Sequence, residues 1–170
     1  MLAAGTNSGI YKLLAVVHIL TVVVGIGGVT LNALYGAESK KRPGPGGRGI
    51  TEANVAVTGV AEWFIYSIPV TGIFLVLASG GAWEFTQAWI WLSIVVYVGA
   101  IGVSHAVLIP NAKRIVGLLA EMEQQGPPAG GPPPQAARLQ ALGAQQAKAG
   151  TLMHLFTVVL VALMVWKPGV

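Results

Sequence analysis

Glu62, His105 and His154 are ionisable side chains that stand inside apolar stretches of this chain. Charge at membrane depth is expensive, so each asks for a partner or a function. At about 1.5 Å per helical residue, Glu62 and His105 fall about 24 Å from the outer ends of their stretches, and His154 about 18 Å. One turn of tilt or end uncertainty, about 5 Å, lets all three share a level on three different helices. Two imidazoles at matching depth are what axial ligation of haem b requires, with Glu62 tuning the site. The same nitrogens suit copper or zinc, with Glu62 as a third ligand or as an orienting group. A carboxyl beside imidazoles can equally pass protons. A plainer reading stands beside these. Either histidine bonds a backbone carbonyl or Ser104, Glu62 reaches water at the interface, and no cofactor is bound.

The elements that must position these groups are four apolar runs, Leu13–Leu34, Val55–Ala78, Trp89–Ile109 and Thr151–Trp166. Each is long enough, or nearly so, to cross a hydrocarbon core of about 30 Å, and a spanning segment in lipid must be helical. Only 9% of the residues are charged, against about 25% in a soluble domain. The expected fold is all-α, a four-helix transmembrane bundle formed by residues 1–170 as a single domain. All Lys and Arg except Lys12 and Lys167 fall in segments 36–51 and 112–150. Basic loops stay on the cytoplasmic side, so both termini are expected outside and these two longer loops inside. The implied address is the cell inner (plasma) membrane, and the net charge of +4 does not signal nucleic acid. There is no Cys and no Asp, which removes disulfides, thiolate ligands and a Ser/His/Asp arrangement. The first run lacks a basic segment before it and a convincing cleavage pattern, so it is read as retained.

The first helix carries His18, Thr21, Gly25, Gly28 and Asn32 at alternating steps of three and four, a stripe on one face. Such a stripe reads as a packing seam, with Thr and Asn bonding across it. His18 lies only about 10 Å deep and Tyr97 about 12 Å, so these two are expected to meet. Pro69 frees a backbone carbonyl and is expected to kink the second helix, with Tyr66 or Ser67 as its new partner. The short connection after Ala78 makes helices two and three an antiparallel hairpin, and Trp83, Trp89, Trp91 and Trp166 read as an aromatic belt. KKRPGPGGRG predicts a flexible loop over 36–51, and Pro110-Asn111 ends the third span. Beyond it, Ala112–Gln125 is predicted as a juxtamembrane helix and GPPAGGPPP as a mobile linker. Gln135–Gly150 is predicted as an extension of the fourth helix. Met153 and Met164 read as packing residues.

The opening YKLLAVVHILTVVVGIGG and the ending LMVWKPGV resemble an uncharacterised family of small four-helix bacterial integral membrane proteins. That family is distantly similar to CopD-type copper-resistance domains and to HemJ-type protoporphyrinogen oxidases. The resemblance implies a histidine-bearing bundle holding haem or copper, with His18 as the first-helix cofactor histidine. The deeper basic residue of HemJ-type proteins has no counterpart, since no span contains Lys or Arg. Three functions are therefore expected to compete. One is a haem b module in electron transfer with a respiratory-type complex or a quinone. Another is a non-catalytic accessory subunit of a larger membrane complex or homo-oligomer, without cofactor. The last is passage of copper, zinc or protons through the bundle.

Overall fold

The computed structural model describes residues 5–42, 44–126, 131 and 134–170, and among them there are helices and turns but no strand. The helices are α1 (Gly9–Lys40), α2 (Pro45–Ala78), α3 (Ala88–Val103), α4 (Ile109–Gln125) and α5 (Pro134–Trp166), with a π turn at Ser104–Leu108 between α3 and α4. Four rods result, of 32, 34, 38 and 33 residues, the third running unbroken from Ala88 to Gln125. All four are long and apolar enough to span a membrane. At 1.5 Å per residue they measure about 50 Å, some 20 Å more than the hydrocarbon core. The excess continues beyond the apolar stretches as a polar helical cap.

α1 packs along α2 and α3 along α5, while α4 reaches both α2 and α5. The α1–α2 seam is built on the expected stripe. Thr21 and Gly25 are buried, and a β-carbon at Gly28 would stand 2.6 Å from the Ala61 β-carbon. Only glycine allows that approach. Asn32 accepts from Thr58 at 3.1 Å and offers its carbonyl to Asn54. Thr21 instead bonds the Val17 carbonyl of its own helix.

The flexible loop expected over 36–51 is mostly helix. α1 continues to Lys40 and α2 begins at Pro45, where proline suits the first turn. Ser39 ties the two ends together by bonding the Gly47 carbonyl at 2.8 Å and the Thr51 hydroxyl at 2.7 Å. Gly44, at φ 76°, supplies the left-handed corner. The proline and glycines shape a tight hairpin here. Most of GPPAGGPPP lies outside the described residues.

Pro110 does not end its helix. The π turn absorbs the ring, because Ile109 bonds back five residues to Ser104. Gln146 of α5 then donates to the Leu108 carbonyl at 3.3 Å, and the buried Asn111 donates to Gln145 at 3.1 Å. α4 and the first half of α5 are thereby held side by side. Arg48 bonds Glu52 within α2 and Glu123 of α4, closing the cap.

At the opposite end the termini meet the α2–α3 connection. Trp83 donates its indole N–H to the Tyr11 hydroxyl at 2.8 Å and packs edge-on against Trp89. The Lys167 ammonium lies 3.9 Å from the Trp83 ring centre, a cation–π contact. Trp89 is buried in this cluster and is a packing residue, whereas Trp91 and Trp166 are exposed as a belt requires.

Candidate functional site

α2 and α3, though joined by a short connection, hardly meet along their backbones. Two tyrosines bridge them. Tyr97 of α3 donates its hydroxyl to the Ile65 carbonyl at 3.2 Å. Ile65 stands four residues before Pro69, so this is the carbonyl that proline leaves without its helical N–H. Tyr97 thus repairs α2, and it does so from the neighbouring helix instead of meeting His18. Ser67 bonds the Trp63 carbonyl, and Tyr66 turns elsewhere.

Tyr66 reaches His105. Its hydroxyl lies 3.0 Å from His105 Nε2. The other ring nitrogen, Nδ1, lies 3.1 Å from the Ile101 carbonyl one turn back. A carbonyl only accepts, so Nδ1 carries the hydrogen and Nε2 the lone pair, with the phenol as donor to it. The π turn begins at Ser104, so His105 sits within it. Such bulges are frequent at functional sites. Both partners are exposed on the outside of the bundle, within the apolar stretches Val55–Ala78 and Trp89–Ile109. Trp63 stands three residues before Tyr66 on the same face, 76% exposed. Glu62 is one turn from Tyr66, a spacing that makes the two side chains neighbours.

The other two histidines bond elsewhere. His154 Nδ1 lies 2.8 Å from the Gly150 carbonyl, so it too carries its hydrogen on Nδ1 and presents Nε2 as an electron-pair donor. His18 Nδ1 lies 2.8 Å from the Thr71 hydroxyl. That hydroxyl lies 3.0 Å from the Ser67 and Ile68 carbonyls, so Thr71 accepts from His18 and donates onward. His18 Nδ1 is therefore committed to the α1–α2 seam. Among the described residues no three His, Asp or Glu side chains gather as a metal-holding group. His105 is joined to Tyr66, with Glu62 a turn below.

The Tyr66–His105 bond was the part of this site that residue types alone did not reveal. Its signal in the sequence is the four-residue spacing of Glu62 and Tyr66 on a helix that also carries Pro69. That spacing shows that two polar groups share a face, but it does not say which helix they face.

No curated protein and no solved structure matches the chain. Residues 12–168 match the family described as predicted integral membrane protein (DUF2269), and the chain belongs to that family.

Proposed function

We propose that this protein is a membrane-embedded accessory component of an electron-transfer assembly of the respiratory type, supporting the reaction and not performing it alone. The observation that carries this reading is the Tyr66–His105 pair, polar and exposed at the outside of the bundle where the surrounding surface is apolar. Intramembrane polar groups are costly unless covered or used. Here the two side chains satisfy each other, but the chain's own helices leave them exposed, a surface that a partner or a lipid-soluble molecule can cover. A hydrogen-bonded phenol and imidazole, with a carboxyl one turn away, is also a composition through which protons move.

Haem b remains compatible with part of this arrangement. His105 and His154 both carry the tautomer of an axial ligand, with Nε2 as the donor atom and Nδ1 held by a backbone carbonyl. When bound, haem would supply one-electron transfer. Ligation by His105 requires Tyr66 to release Nε2. Copper or zinc would bring Glu62 to the two histidines, a gathering the described residues do not form on their own.

The experiment is a photo-crosslinking amino acid in place of Trp63, irradiated in native membranes. The expected adduct joins this chain to a subunit carrying haem, flavin or an iron–sulfur cluster. Adducts with lipid alone would defeat the proposal. An optical spectrum of the isolated protein separates the haem reading. A Soret band lost in both His105→Ala and His154→Ala places haem between them, and a colourless protein removes it.

A further inference from the structure

The exposed pair has a hydrogen-bonding asymmetry that selects a ligand. His105 Nδ1–H is fixed on the Ile101 carbonyl, so once the Tyr66 hydroxyl turns away from Nε2 the ring offers a ligand only the lone pair there. Tyr66 offers one O–H and an oxygen that accepts. A ligand that inserts between them must donate to Nε2 and accept from the phenol. A hydroxyl does both at once. A carbonyl oxygen can only take the tyrosine hydrogen, and it leaves Nε2 unpaired in an apolar surrounding, which is costly.

We infer that the Tyr66–His105 face binds the headgroup of a lipid-soluble quinol, in preference to the oxidised quinone. This rests on the electron-transfer reading and names its small-molecule partner. Access is from the bilayer, because both residues are open on the outer surface of the bundle and not at the floor of a closed cavity. The broad indole of Trp63, 76% exposed on the same face, gives the flat ring of the headgroup something to lie against. The apolar tail of such a molecule needs only the neighbouring aliphatic surface, where Val70 and Val98 are 52% and 60% exposed. No electron is transferred in the binding step itself, so no oxidant is required for it.

The test uses the full chain in lipid nanodiscs, without oxygen, with a short-chain benzoquinone and its two-electron reduced quinol as probes. Binding is read by co-sedimentation against empty nanodiscs of the same lipid. The quinol is expected to bind about tenfold more tightly than the quinone, the worth of one well-paired hydrogen bond. His105→Phe should abolish that preference. Tyr66→Phe should widen it, because the quinone loses its only donor while the quinol keeps Nε2. His154→Ala should change neither. Equal binding of both forms, or the same preference in His105→Phe, would overturn the inference. Should the crosslinked partner prove to be a redox subunit while neither probe binds, the quinol site falls and the assembly reading stands. Quinol binding without any such partner has the reverse consequence.

Discussion

The α1–α2 seam and the α2–α3 face use polar residues in opposite ways. Along the seam, backbone approaches backbone across Gly25 and Gly28, and the polar groups are turned inward. His18 ends on Thr71 and Asn32 on Thr58 and Asn54. At the α2–α3 face the backbones stand apart and two tyrosine side chains cross the gap, one of them to an exposed imidazole. Lipid tails are as apolar as leucine, so helices in a bilayer gain stability from close packing and paired polar groups. The seam is built to that rule. The open face departs from it at Tyr66 and His105, which are paired with each other but left exposed, and departures from locally consistent packing are where function is expected.

The largest effect should come from filling the seam. Gly28→Leu places side-chain atoms where even a β-carbon would overlap Ala61, and should cost about 3 kcal/mol or force α1 away from α2. Gly27→Leu is the matched control, because a β-carbon there meets nothing within 4 Å. Unfolding by SDS titration in mixed micelles should separate the two variants clearly. Equal midpoints would mean that the seam is not held by close approach.

Within the open face the two tyrosines should separate as well. Tyr97→Phe orphans the Ile65 carbonyl at membrane depth, at a cost of about 1–2 kcal/mol. Adding Pro69→Ala restores the helical N–H that this carbonyl lacks, so the double variant should recover most of the loss. A double-mutant cycle with no coupling between positions 69 and 97 would show that the bond has no such role. Tyr66→Phe removes a bond between two exposed side chains and should cost under about 1 kcal/mol. Its signature should instead appear at His105, as a changed Nε2 nitrogen shift in NMR of labelled histidine. A large stability loss with no change at His105 would make Tyr66 a structural residue like Tyr97.

What could be read in advance follows the range of the interaction concerned. The four spans and the stripe from His18 to Asn32 are periodic features of single helices, and hydrophobicity with spacing is enough to show them. The hairpin at Lys40–Pro45 was hidden, because its glycines and proline read locally as breakers. Their effect depended on Ser39 reaching Gly47 and Thr51 across the turn. Pro110 misled in a similar way, since a π turn lets a helix pass a proline that an α-helix would not tolerate. At the candidate site, Glu62, His105 and His154 were legible as costly groups. Which of them pair depends on helix rotation, and four equally greasy helices offer little periodic contrast by which to read it. Depth could be counted from the sequence, but azimuth could not. Tyr97 and His18 accordingly bond different points of α2, the Ile65 carbonyl and the Thr71 hydroxyl.

The smallest predicted effect is electrostatic, and it acts at the mouth of the α1–α2 hairpin. Glu38 accepts from Lys41 at 3.2 Å and pairs with Arg42 at 3.0 Å. The hydrogen bond and charge of Lys41, then Arg42, hold its carboxyl below the usual glutamate range. A lowered folded value means that the unfolded chain binds its proton first as pH falls. The contribution is therefore complete above about pH 4.3, the ordinary value, and fades as pH drops through the lower folded one. The side chain is about two-fifths exposed, at 39%, so salt should screen much of the effect. Comparing unfolding midpoints at pH 7 and pH 3 should show a small loss in the wild type that Glu38→Gln lacks. If Glu38→Gln keeps the full pH dependence, the acid-sensitive contact lies elsewhere, and Arg48 with its partners Glu52 and Glu123 becomes the pair to test.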